Sequence, residues 1–96
     1  MVKSKLIWAV EHEDHGIIGV VDSAISAAHM LISCDWVSFG TDIWCTHEKT
    51  WFSLREVMER LGYLDDNAFV ADMLEGKCEG YEWAFIYRTV AFYEEV

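Results

Sequence analysis

The chain has 96 residues, 53% of them hydrophobic and 15% aromatic, and its seventeen Asp and Glu outnumber seven Lys and Arg for a formal charge of −10. That length suits a single domain, residues 1–96, with one core and no room for a second, and the aromatic content excludes a disordered chain, which has little to bury. The charge disfavours direct contact with DNA, RNA or an anionic membrane, because phosphate contacts need Lys and Arg.

Cysteine usage bears on compartment. Cys34, Cys45 and Cys78 form an odd, unclustered set, which fits free thiols in a reducing compartment better than a secreted disulfide framework. The apolar run opening at Leu6 gives way to charge at Glu11, too soon for a signal peptide. No stretch approaches the ~18 apolar residues of a membrane span. The expected location is cytoplasmic.

Taken in order, the first elements are two β-type runs, Leu6 to Val10 and Ile17 to Val21, separated by a polar cluster from Glu11 to His15 and by Gly16. That pattern predicts a hairpin. Asp22 and Ser23 are candidate N-caps for a helix from Ala24 to Ile32, with Ile25, Ala28, Leu31 and Ile32 at helical spacing. Ala24, Ala27 and Ala28 would let this helix lie close against the hairpin, and Trp36-Val37 closes the unit in the core. Residues 39–42 read as a turn before a short strand at Ile43 to Thr46.

The clearest local signal is Ser53-Leu54-Arg55-Glu56, a capping box in which Ser and Glu satisfy exposed backbone donors. Leu54, Val57, Met58 and Leu61 follow at helical spacing, and Gly62 stands where a C-cap needs a left-handed residue. A third helix is expected from Asp66 or Asn67 to Glu75, stopping at Gly76, with Phe69, Val70, Met73 and Leu74 inward. The last element, Tyr81 to Tyr93, has aromatic residues on alternate positions and would make a strand of roughly 40 Å, long enough that it must bend or pair partly outside the domain. The predicted fold is α+β, in the order β-β-α-β-α-α-β, an antiparallel sheet with helices mainly on one face. A homodimer through the Tyr81–Tyr93 strand would cover its second face.

Candidate chemistry is sparse. His12-Glu13-Asp14-His15 has two residues between its histidines, not the three of a metalloprotease helix, and reads as a solvated acidic hairpin tip. Cys45-Thr46-His47 offers two metal-capable groups on one side of a strand, but zinc needs two more ligands. A nucleophilic Cys45 needs positive surroundings that this chain is short of, so Cys45 is expected in the core. His29 reads as a structural histidine within its helix. Phosphate loops, serine elbows and nucleotide fingerprints are absent from the sequence. No cofactor, metal or enzymatic activity is expected.

The acidic residues are the remaining constellation. Asp65, Asp66, Asp72, Glu75, Glu79 and Glu82 are expected on the polar side of the third helix and the turn beyond it, interrupted only by Lys77. Glu11, Glu13, Asp14 and Asp22 gather around the hairpin, and Glu94-Glu95 follow the last strand. Carboxylates three or four residues apart on a helix have Cβ atoms ~5–6 Å apart, which suits imitation of a phosphate backbone. The partner-binding candidates are Asp65, Asp66, Asp72, Glu75, Glu79, Glu82, Glu13 and Asp14. The competing reading is that these are ordinary solvated faces.

The segments Lys5 to Val10, Gly16 to Ser23 with Ala27, and Tyr81 to Tyr93 resemble small acidic proteins encoded by phages and prophages of Gram-positive bacteria. The likeness covers about half the chain and includes no site motif. It implies inhibition of a host DNA-binding protein, such as a nucleoid histone-like protein or a CRISPR nuclease, by mimicry of DNA charge. Two alternatives come from other classes: an interaction module that uses the aromatic strand, with acidity serving solubility alone, and a small metal protein or enzyme using His12, His15, Cys45 and His47.

Overall fold

The computed structural model describes residues 4–83 and 88–95, and the side chains of residues 9–83. Among the described residues nine elements follow one another: β1 (Ser4–His12), β2 (Gly16–Val21), α1 (Ala24–Ser33), β3 (Asp42–Cys45), β4 (Thr50–Ser53), α2 (Leu54–Leu61), α3 (Asp66–Leu74), β5 (Tyr81–Trp83) and β6 (Arg88–Glu95). The α+β class and the order of elements agree with the sequence reading. What differs is the sheet. The strands form two three-stranded antiparallel sheets, β2-β1-β6 and β4-β3-β5.

The predicted hairpin forms, with a bulge. Val10 pairs with Gly19 and Glu11 with Ile17, which leaves Ile18 as the extra residue on β2. A bulge reverses the alternation of faces beyond it. Ile18 and Val21 therefore pack on the core while Ile17 and Val20 stay exposed. Gly19 faces α1 so closely that a Cβ there would lie 2.0 Å from the sulfur of Met30. Ala24, Ala27 and Ala28 are buried, as close packing on the hairpin needs, and Leu31 with them, but Ile25, expected in the same stripe, is exposed. Ser23 is the N-cap of α1, its hydroxyl accepting from the Ser26 amide.

Helices α2 and α3 begin and end where local chemistry directs. The Ser53 hydroxyl oxygen accepts from the Glu56 amide at 3.2 Å, and Gly62 caps the far end in the left-handed region at φ 80°. Leu54, Val57 and Met58 are buried, but Leu61, expected on the same face, is exposed because α2 ends there. Asp65 caps α3, which turns Phe69, Val70, Ala71 and Met73 inward. One core cluster runs from Val10 through Leu31, Ile43 and Leu54 to Phe69 and Cys78, with Trp36, Phe52 and Trp83 packed against it.

The long final run divides between the two sheets. Its start, β5, pairs with β3 from Ile43↔Trp83 to Cys45↔Tyr81, and its end, β6, pairs with β1 over Ser4↔Glu95 to Glu11↔Arg88. The alternation of Phe85 and Tyr87, and the side chains of Tyr93, Glu94 and Glu95, lie outside the described residues. Strand β4 carried no sequence expectation; it pairs with β3 from Asp42↔Ser53 to Cys45↔Thr50.

Candidate functional site

None of the described Asp or Glu side chains is buried. They differ in what they hold. Asp65 Oδ1 accepts from the Asn67 amide at 3.1 Å, as an N-cap does. Asp66 Oδ1 accepts from the same amide at 2.8 Å, and Asp66 lies in the first turn of α3, where negative charge complements the helix dipole. Asp72 accepts the phenol hydrogen of Tyr63 at 2.6 Å. That bond, aided by burial, holds the Tyr63 phenol well above the usual tyrosine range. Glu75 pairs with Lys77 at 2.8 Å and raises the ammonium's pKa. Glu79 and Glu82 are exposed, as are Glu13 and Asp14 in the β1–β2 turn.

The six carboxylates around α3 do not make one row. At 100° per residue Asp65, Asp72 and Glu75 share a side of the helix, with Asp65 and Asp72 about 10 Å apart along it. Asp66 is turned away towards a cleft of about 180 Å³ between Val37, Phe39, Leu54 and Val70, with Asp35 also on its wall. That space suits a single side chain and is smaller than the ~300–1,000 Å³ of small-molecule sites. Glu82 belongs to a different surface, the outer face of the β4-β3-β5 sheet.

The hairpin tip is less solvated than its composition suggested. His12 is buried, its Nδ1 accepting from the Asp14 amide at 3.0 Å. Its ring lies 4.8 Å from His15 and 5.3 Å from Trp36, between centroids, so the tip docks on the segment after α1. Cys45 is buried, as expected, with Sγ 3.7 Å from a Glu48 oxygen. His47 is exposed in the β3–β4 turn and does not share a strand with it. His29 is exposed on α1 and has no core role. Among the described residues, no group of three or more His, Cys, Asp and Glu converges on a metal-sized site, and no helix is long and apolar enough to cross a membrane.

One surface was not singled out from the sequence. Cross-strand partners share a face, and the ladder places Trp51, Trp44 and Glu82 side by side across β4, β3 and β5. The two indoles are 4.7 Å apart between centroids and tilted by 60°. Asp42 lies two residues before Trp44, on the same face. The opposite face carries Ile43 and Cys45 into the core, so the tryptophans look outward, Trp51 52% exposed. The signal was the alternation in Asp42-Ile43-Trp44-Cys45, but without β4 its partner was invisible. Compared with protein families, curated proteins and solved structures, the chain matches none.

Proposed function

We propose that the protein is a non-enzymatic, phage-type inhibitor that acts in the host cytosol by occupying the nucleic-acid-binding surface of a basic host protein. The observation that carries this reading is the outward placement of its negative charge. No described carboxylate is buried, while Arg55, Arg60 and Lys77 are each held by a carboxylate of the chain itself, Glu59, Glu48 and Glu75. Among the described side chains the excess of negative charge is therefore left unburied. Such a field steers a cationic groove into contact and favours the orientation in which carboxylates replace phosphates. The likeness to phage-encoded acidic proteins supports the same class of target, a nucleoid histone-like protein or a CRISPR nuclease.

The test is capture of partners from bacterial lysate, washed in parallel at low and high salt and challenged with duplex DNA. A basic DNA-binding protein retained at low salt and displaced by DNA is the expected result. Glu75→Lys with Glu79→Lys should weaken its capture. Asp72 is unsuitable for reversal because it also holds Tyr63. A partner that resists salt and ignores DNA would sink charge mimicry. It would favour the second reading, contact through apolar surface, for which the outward-facing pair of half-buried Trp44 and exposed Trp51 is the specific observation.

A further inference from the structure

Twice among the described residues an arginine is set against an aromatic ring. The Arg60 guanidinium lies 3.8 Å from the centroid of Phe52 and pairs with Glu48. Arg55 stands 5.9 Å from the ring of Phe39 and pairs with Glu59 at 3.6 Å. In each case a π face and a carboxylate hold the two parts of one side chain, the face attracting the cation through the ring quadrupole and the carboxylate pairing with its charge, by a hydrogen bond for Arg60 and by an ion pair alone for Arg55.

The outer face of the β4-β3-β5 sheet repeats those ingredients. Glu82 stands directly across from Trp44, Trp44 directly across from Trp51, and Asp42 is on the same face. Direct cross-strand neighbours have Cβ atoms ~4.5–5.5 Å apart, within reach of one guanidinium. The 60° tilt between the indoles makes a wedge in place of a closed stack. Among the described residues, no Lys or Arg is placed on either tryptophan, and Arg60 is occupied on the opposite side of the sheet over Phe52.

We propose that the Trp44–Trp51 wedge, with Glu82 and Asp42, is a receptor for an arginine side chain of the basic partner. This rests on the charge-mimic reading and deepens it, since it gives the contact an aromatic anchor inside an acidic rim. Arginine fits better than lysine because its planar guanidinium stacks on an indole and still presents N–H groups to a carboxylate. Indoles and arginines are the side chains that most often dominate interface energetics. Mimicry by charge alone attracts any cation; the wedge would select among them.

The experiment uses the full chain, labelled with ¹⁵N, and nona-arginine as the probe. The indole N–H signals of Trp44 and Trp51 are assigned through Trp44→Phe and Trp51→Phe. Nona-arginine should shift both signals, and nona-lysine should bind more weakly. The same peptide with citrulline in place of arginine should leave them unmoved. Trp51→Ala and Glu82→Gln should each weaken nona-arginine binding roughly five- to thirtyfold, with Trp51→Phe losing less. Both altered side chains are exposed, and circular dichroism checks that the fold is kept. Affinity unchanged in both Trp51→Ala and Glu82→Gln would overturn the proposal, as would a concentration-dependent dimer abolished by Trp51→Ala, which would assign the face to a second copy. DNA-displaceable capture of a basic protein, with the indole signals unmoved, removes the wedge and leaves charge mimicry standing. Moved indole signals without such a partner do the reverse.

Discussion

Removing one oxygen atom tests how the end of α2 is tied to α3. Tyr63 follows the Gly62 cap, donates to Asp72 at 2.6 Å, sits edge-on to Phe69 at 5.1 Å, and has the Cys78 sulfur 3.9 Å from its hydroxyl. Tyr63→Phe keeps the ring contact and deletes only the hydrogen bond. Such a bond to a charged acceptor contributes ~1.5–3 kcal/mol when well shielded. Here both partners are half-buried, and water replaces part of the loss, so the variant should be less stable by about 1–1.5 kcal/mol. For a domain of this size that lowers Tm by about 4–12 °C. The bond also predicts an alkaline step. The phenol's pKa is raised in the fold, first by Asp72 and then by burial. Above about pH 10 the unfolded chain loses this proton while the folded one retains it, so stability falls as pH rises; below that pH the contribution is fully present. Burial raises the Cys78 thiol too, which adds a loss of the same sign from about pH 8.5. Urea unfolding at neutral pH and in steps above about pH 8 separates the two, with Cys78→Ala isolating the thiol. If Tyr63→Phe matches the parent at neutral pH, or keeps the parent's slope above about pH 10, the reasoning fails.

Two further predictions concern the core and a cap. Phe69 is fully buried, so Phe69→Ala should lower the unfolding free energy by about 3–5 kcal/mol with little change in the urea slope; a loss below about 1 kcal/mol would contradict its central place. Ser53→Ala removes the acceptor for the Glu56 amide and should cost about 1 kcal/mol in thermal unfolding, whereas Ser53→Asp should restore most of it.

What could be read from the chain was local, and what escaped was relational. The Ser53 cap, the Gly62 stop, the α3 stripe of Phe69, Val70 and Met73, and the Ala-rich face of α1 all depend on residues within a few positions of one another. Short-range sterics and backbone hydrogen bonding are therefore enough to specify them. The surplus of carboxylates over cations is likewise a property of sequence. The tertiary structure decided the pairings. It put the two ends of the Tyr81–Tyr93 run in different sheets, inserted the Ile18 bulge, and recruited β4 as the partner that turns Trp44 into a Trp pair. Strand pairing joins residues far apart in sequence, and a one-residue slip exchanges the faces of a strand, so neither partner nor register is contained in a local pattern. For the same reason the acidic candidates, alike in sequence, part company in space. Asp65 and Asp66 serve the start of α3, Asp72 holds Tyr63, Glu75 holds Lys77, and Glu79 faces solvent. Glu82 stands beside half-buried Trp44, with exposed Trp51 on the strand beyond, because the register of β5 against β3 sets it there.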